Sequence, residues 1–184
     1  MRIISGKHRG AKLFAPADNR VRPTSDRVKE SVFNILCGRV ALDSANVLDL
    51  FAGSGALGLE TYSRGAAKVV FVDNDKDSVA LLKRNIAKLG MPEVCREIIF
   101  SGYDVALERL SGRRFDVIFI DPPYASDYAS HALSIIGKKD MLADGGIIVA
   151  EHDIVKSLEN DSFLCDCRKM GNTSVSFMTR RTKQ

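Results

Sequence analysis

The largely apolar run 115–120 is followed directly by Asp121, Pro122, Pro123 and Tyr124. The run is rich in β-branched residues and predicts a buried strand, which the prolines end because proline has no N–H to give a sheet. A carboxylate, backbone carbonyls and an aromatic ring therefore meet at the carboxyl end of a strand. Open α/β sheets bind ligands at this edge.

These groups suit the recognition of a planar amino group. Asp121 can accept one hydrogen bond from an exocyclic NH2, and the Pro122 carbonyl can accept the other. Tyr124 can stack on the ring, a contact worth about 1–3 kcal/mol. The alternative is a turn that merely ends a strand, and the glycine loop described below favours the functional interpretation.

The elements that must position this motif alternate between strand and helix from residue 46 onward, which predicts a mostly parallel sheet with helices on both faces. We expect strands at 46–50, 68–72, 94–100, 115–120 and 147–151, and helices at 56–64, 76–89, 103–110 and 127–136. The tail alternates over 162–168 and 173–179, which predicts an antiparallel hairpin.

The first forty residues predict a separate small unit. Segments 2–5 and 11–14 indicate a hairpin whose tip carries Lys7 and Arg9, either for phosphate contact or as a solvated loop. A helix is expected to begin near Thr24, Ser25 and Asp26, and Gly38 can end it as a left-handed residue.

Composition indicates a mildly basic protein without disulfides. The net charge is +4, and nine Lys, Arg or His residues fall in the first thirty positions against three acidic residues, which permits a nucleic-acid partner. The four cysteines form no C-x-x-C pair. No apolar run approaches the roughly 20 residues that span a membrane. We therefore expect reduced thiols, a cytoplasmic enzyme and no metal.

The segment 53–58 reads Gly-Ser-Gly-Ala-Leu-Gly between a predicted strand and helix, and Asp73 ends the next strand. This pattern matches the dinucleotide-binding fingerprint, so an NAD-dependent oxidoreductase is an alternative. Asp49, inside the strand, would repel a pyrophosphate, and Asp104, after the third strand, can accept from an adenine amino group. S-adenosylmethionine, with its sulfonium and adenine, suits such an acidic pocket better. Helix capping is the alternative role for both Asp49 and Asp104.

The segment 47–55 resembles the first motif of class I S-adenosylmethionine-dependent methyltransferases, and 121–124 resembles their amino-methylating motif. The run 22–34, together with the hairpin at 3–6, is similar to the RsmD family. The resemblance covers nearly the whole chain. It implies a Rossmann-like fold and methylation of guanine 966 at N2 in 16S rRNA. It also divides the chain into an RNA-contacting extension, 1–40, and a methyltransferase domain, 41–184.

The resemblance implies roles for individual residues. The catalytic motif is Asp121, Pro122, Pro123 and Tyr124. The cofactor would be bound by Asp49, Phe51, Ala52, Gly53, Ser54, Gly55, Asp73, Asn74, Tyr103 and Asp104. RNA would be contacted by Lys7, Arg9, Arg22, Thr24 and Arg27.

The resemblance also implies a partner, namely 16S rRNA in the small ribosomal subunit or its assembly intermediate, and we expect a monomer. An adenine-N6 DNA methyltransferase remains an alternative because it uses the same tetrapeptide. So does a non-catalytic RNA-binding module that kept the fold.

Overall fold

A seven-stranded sheet forms the centre of the protein. The computed structural model describes residues 1–16, 26–123, 127–153, 158, 160–171 and 173–181. The strands are β1 (Asn46–Asp49), β2 (Lys68–Asp73), β3 (Arg96–Phe100), β4 (Phe115–Ile120), β5 (Leu142–His152), β6 (Phe163–Met170) and β7 (Thr173–Arg180). Their order is β3-β2-β1-β4-β5-β7-β6. The first five are parallel and β7 is antiparallel to both neighbours, which confirms the predicted sheet and C-terminal hairpin.

Helices cover both faces of the sheet. They are α1 (Asp26–Cys37), α2 (Ala56–Ser63), α3 (Lys76–Lys88), α4 (Tyr103–Arg109) and α5 (Tyr128–Lys138). Successive side chains of a strand point to opposite faces. In β4, Val117 and Phe119 pack in the core under α1–α3, whereas Ile118 and Ile120 pack in the core under α4 and α5. This double burial explains why β4 is apolar apart from Asp116.

Most boundaries lie within one or two residues of the predictions, and three features differ for a physical reason. Strand β5 begins at Leu142, because its pairing with β4 shifts register through a bulge that includes Gly145 at φ 74°. A 3-10 turn over Glu93–Cys95 delays the start of β3. The left-handed cap at Gly38 is wrong, because Gly38 has no positive φ and its N–H instead closes a tighter turn onto the Ile35 carbonyl at 3.2 Å.

The N-terminal hairpin packs on the sheet domain and shares its core. Backbone hydrogen bonds join Ile3 N–H to the Ala11 carbonyl at 2.9 Å and Leu13 N–H to the Met1 carbonyl at 3.2 Å. Ile3 and Leu13 are buried in the same hydrophobic cluster as β1 and β4. Residues on both sides of the predicted division at residue 40 thus share one hydrophobic core, and the division concerns their proposed roles.

A buried carboxylate fastens this hairpin to the domain. Glu60 in α2 is 0% exposed and accepts hydrogen bonds from Ile4 N–H at 2.8 Å and Ser5 N–H at 3.0 Å. It also pairs with Lys29 Nζ of α1 at 3.2 Å and with Arg64 Nε at 2.9 Å. Burial lowers the pKa of Lys29, and Glu60 partly opposes that shift. One side chain therefore connects the hairpin, α1 and α2.

We predict that Gly6→Ala destabilises the protein more than Gly10→Ala. Both glycines have φ 83°, where a side chain costs about 1–2 kcal/mol. Only at Gly6 would a Cβ meet backbone, 1.8 Å from the Ser63 carbonyl oxygen. In urea denaturation, both variants should lose the free energy of unfolding that the positive φ costs. Gly6→Ala should lose about 1–3 kcal/mol more because of the steric clash. Equal losses would mean that the hairpin does not dock closely on α2.

Candidate active site

The carboxyl edge of the sheet has a crevice where the chain reverses its winding direction. Strand β1 lies between β2 and β4, and Asp49 is level with Phe71 of β2 and Phe119 of β4. Two residues further along β2 and β4 lie Asp73 and Asp121. These two carboxylates therefore flank the loop that leaves β1, at the position where doubly wound sheets bind ligands.

The glycine loop after β1 is fixed by hydrogen bonds of its backbone and has open space at Gly53. Gly53 N–H donates to Asp73 Oδ2 at 2.7 Å, and Gly55 N–H donates to the Ala52 carbonyl at 2.7 Å. Gly55 has φ 80°, and a Cβ there would lie 2.4 Å from Cδ1 of Leu82 in α3. A Cβ at Gly53 would meet nothing within 4 Å. The loop backbone is thus accessible to a ligand at Gly53.

Asp73 retains acceptor capacity after its backbone bonds. Oδ2 accepts from Gly53, and Oδ1 accepts from Asp75 N–H at 2.8 Å. A carboxylate has roughly four lone-pair sites, and Asp73 is only partly buried. The remaining lone pairs of Asp73 can accept hydrogen bonds from two hydroxyls. The carboxylate therefore fits the ribose of a nucleoside cofactor. The following residue, Asn74, is exposed.

Asp49 lies beneath the loop and caps α2. It is 1% exposed, and its Oδ2 accepts from Gly58 N–H in the first turn of α2 at 3.0 Å. Burial raises its pKa to about 7, opposed by this hydrogen bond. The capping role that was an alternative is therefore present, and a direct contact with the cofactor stays a prediction.

We predict that Asp49 makes stability depend on pH. The carboxyl has a pKa of about 7 when folded, against 3.8 for an aspartate exposed to water. Between these values the folded protein holds a proton that the unfolded chain lacks, so the free energy of unfolding should fall as pH rises from about 4 to 7. Asp49→Asn keeps an acceptor for Gly58 and should gain about 2–4 kcal/mol relative to wild type between pH 4 and 8 in urea titrations. Parallel pH profiles would contradict the buried carboxylic acid.

An aromatic cluster lies beside the crevice, on the α4–α5 face. The Tyr103 ring centroid is 5.2 Å from that of Phe51 and 5.1 Å from that of Tyr128. The Tyr103 hydroxyl and His131 Nδ1 are 2.8 Å apart, which orients the phenol ring. Burial and the nearby Asp104 raise the pKa of Tyr103. Sequence reasoning missed Tyr128 because a tyrosine at the start of a helix carries no distinguishing pattern.

The amino-recognition motif lies at the predicted edge. Asp121 and Pro122 are partly buried, Pro123 is exposed, and Tyr124 falls outside the described residues. Strand register places Ile120 level with Ala150, so Asp121 is level with Glu151 of β5. Glu151 is the first acidic residue after the apolar run 147–150 of β5.

Three of the residues expected to contact RNA, namely Lys7, Arg9 and Arg27, lie in the described part of the chain. Arg27 is exposed on α1, whereas Arg22 and Thr24 lie outside the described ranges. Lys7 lies over the Tyr62 ring at 3.6 Å, beside the last turn of α2, and the exposed Arg9 shares this hairpin tip. The eight-residue α2 separates the tip from the glycine loop by about 12 Å. Any contact of Lys7 and Arg9 with RNA would therefore be made beside the C-terminal end of α2.

Asp104 is exposed in the first turn of α4, at the carboxyl edge where adenine was expected.

On the other face, the buried Asn85 of α3 joins the glycine loop to the N-terminal segment. Its Nδ2 donates to the Ser54 carbonyl at 2.9 Å and to the Phe14 carbonyl at 3.1 Å, and its Oδ1 accepts from Phe14 N–H at 2.8 Å. No local sequence pattern signals this long-range contact.

Two curated proteins are similar to the chain. It is 38% identical over 159 residues to "Ribosomal RNA small subunit methyltransferase D" of Haemophilus influenzae, covering 86% of this chain and 81% of that protein. It is 33% identical over 158 residues to the protein of the same name from Escherichia coli K12, covering 86% and 77%. The chain therefore spans most of the length of these relatives.

The fold also matches solved structures. The Escherichia coli structure described as "Putative methyltransferase yhhF" superposes with a TM-score of 0.86 at 30% identity, over 100% of this chain and 99% of that one. A Streptococcus mutans structure described as a sam-dependent methyltransferase has a TM-score of 0.67 at 16% identity and shares the fold. Within the described residues, no helix is long and apolar enough to cross a membrane.

The family model described as "Conserved hypothetical protein 95" matches residues 1–179. The chain belongs to that family, which is the RsmD family indicated by its motifs.

Proposed function

We propose that the chain methylates N2 of guanine 966 in 16S rRNA of the small ribosomal subunit or its assembly intermediate. The observation that carries this proposal is the position of Asp121 and Pro122 next to the glycine loop, at the carboxyl edge of the sheet. An amino-group acceptor and a nucleoside-cofactor loop thereby share one crevice. The names of the similar curated proteins support ribosomal RNA as the substrate.

The methyl donor is S-adenosylmethionine, which supplies an electrophilic methyl group on a sulfonium when bound. Asp73 would hold its ribose, because its carboxylate is partly exposed and anchored by two backbone N–H groups. Gly53 and its neighbours would hold the methionine part, where the loop is open. Tyr103, Asp104 and Asn74 would surround the adenine.

The motif residues act on the nucleophile. A guanine N2 is a poor nucleophile because its lone pair is delocalised into the ring. When Asp121 and the Pro122 carbonyl accept its two N–H bonds, they favour a more tetrahedral nitrogen and stabilise the positive charge that develops on it. Holding the reactants in line can lower the barrier by roughly 7–11 kcal/mol. Tyr124 would stack on a base that has left its helix, as chemistry on a paired base requires.

Two alternatives are less well supported. An adenine in DNA would present the same kind of NH2 group, at N6, to Asp121. The names of the curated relatives, however, favour RNA over DNA as the substrate. An NAD-dependent oxidoreductase would need a pyrophosphate at the start of α2, where the Gly58 N–H already donates to Asp49 Oδ2 at 3.0 Å. Membership of the family also disfavours the oxidoreductase.

The target position can be tested in cells. In 16S rRNA from a strain that lacks the gene, primer extension under conditions that stop at N2-methylguanine should read through position 966. Expression of the chain should restore the stop, and expression of the Asp121→Ala variant should not. A restored modification at another position would contradict the assigned nucleotide while keeping RNA methylation.

A further inference from the structure

Two cations and an exposed phenylalanine form a compact cluster on the outer surface of α3. The Arg84 guanidinium carbon and Lys88 Nζ each lie 4.4 Å from the centroid of the Phe14 ring. Phe14 is 38% exposed, and both cationic residues are exposed. We call these three residues the α3 basic cluster. None of them was among the residues expected to contact RNA.

The cluster is held rigidly next to the glycine loop. Phe14 is fixed by two hydrogen bonds between its backbone and the side chain of Asn85. The same Asn85 side chain donates to the carbonyl of Ser54 in the glycine loop. The cations therefore sit on the outer flank of the cofactor loop, on the α1–α3 side of the sheet.

The charges in the cluster are not neutralised by neighbouring acids. Arg84 and Lys88 are four residues apart on one helix face, an arrangement in which like charges repel each other. In the described part of the chain, neither forms an ion pair, and the exposed Lys12 and Lys83 lie close in sequence to Phe14 and Arg84. An anion bound here would relieve the repulsion between the two cations.

We propose that the α3 basic cluster binds the phosphate backbone of the RNA substrate, outside the crevice that takes the reacting base. This inference rests on the proposed function. Arg and Lys side chains contact phosphates and position a nucleic acid without reading its sequence. The chain continues from Phe14 into residues 17–25, which include Arg20 and Arg22.

The test compares two charge-matched double variants. Arg84→Gln with Lys88→Gln removes the cluster, and Arg109→Gln with Lys138→Gln removes two exposed cations from α4 and α5 on the opposite face. Binding to small ribosomal subunits from cells lacking the gene is measured over a range of salt concentrations. Loss of two phosphate contacts should lower the slope of log K against log salt by about 1.4–1.8, and weaken binding near 0.1 M salt by about 30-fold.

The matched control should keep a slope close to that of wild type. Cofactor affinity without RNA should be the same in all three proteins, because no cluster residue faces the crevice. Equal losses in both double variants would mean that only net charge matters, and an unchanged slope in the cluster variant would mean that no phosphate is bound there. Either result would overturn the proposal. Methyl transfer by the wild type, measured in parallel, decides the proposed function separately.

Discussion

Asp121→Ala should lower the rate of methyl transfer at least about 100-fold while cofactor affinity stays within about twofold of wild type. The expectation follows from the position of Asp121 at the end of β4, level with Glu151 of β5 and across the crevice from the glycine loop. Its carboxylate would act on the amino group of the base, whereas Asp73 and the loop backbone would hold the cofactor. Single-turnover transfer and calorimetric titration of the cofactor measure the two properties independently.

Asp144→Ala is a suitable control for loss of one carboxylate. Asp144 is exposed near the start of β5, at the opposite edge of the sheet, and its contacts with Arg114 and Arg180 are long, at 3.9 and 4.0 Å. Its removal should leave both transfer and cofactor affinity unchanged. If Asp121→Ala abolished cofactor binding as well, Asp121 would have a structural role and the assignment to the amino group would be lost.

Glu60→Leu should destabilise the fold by about 3–5 kcal/mol, the usual cost of removing one partner of a buried ion pair. The substitution removes the ion-pair partner at 3.2 Å from Lys29, which is 1% exposed. It also leaves the N–H groups of Ile4 and Ser5 without their acceptor. Chemical denaturation followed by circular dichroism should show a lower midpoint, and proteolysis should release the N-terminal hairpin first.

Glu108→Leu provides the matched comparison. Glu108 pairs with Lys139 at 2.8 Å, but it is 67% exposed, so its loss should cost less than about 1 kcal/mol. Adding Lys29→Met to Glu60→Leu should recover part of the lost stability, because the unpaired charge is removed. If Glu60→Leu were as mild as Glu108→Leu, the hairpin would not depend on this carboxylate.

The order of elements and the place of the candidate active site could be predicted from the sequence because both follow from local patterns. The apolar run before Asp121, the glycines after β1 and the acid that ends β2 each mark the carboxyl end of a strand. Parallel strands bring these ends to one edge of the sheet. The resulting row of Asp73, the glycine loop and Asp121 is what the structure shows.

Contacts distant in sequence could not be predicted in this way. Glu60 meets Ile4 and Ser5 across more than fifty positions, and that docking directs the tip with Lys7 away from the glycine loop. Asn85 reaches Phe14 across 71 positions. A polar residue in an amphipathic helix looks the same whether it is solvated or buried with partners.

Asp49 shows a different limit of sequence reasoning. The alternation of a strand specifies which face a side chain takes, but not which group covers that face. Here the first turn of α2 covers Asp49, and Gly58 N–H occupies one of its oxygens. The choice between capping and ligand binding depended on this packing.

The most direct test of the account is transfer of a radiolabelled methyl group from S-adenosylmethionine to small ribosomal subunits that lack the modification, followed by nucleoside analysis. The account predicts label in N2-methylguanosine of 16S rRNA, and none with the Asp121→Ala variant. Label in adenine, or only in DNA, would keep a methyltransferase but contradict the guanine-N2 assignment. Absence of both transfer and cofactor binding would contradict the role given to the crevice between Asp73 and Asp121.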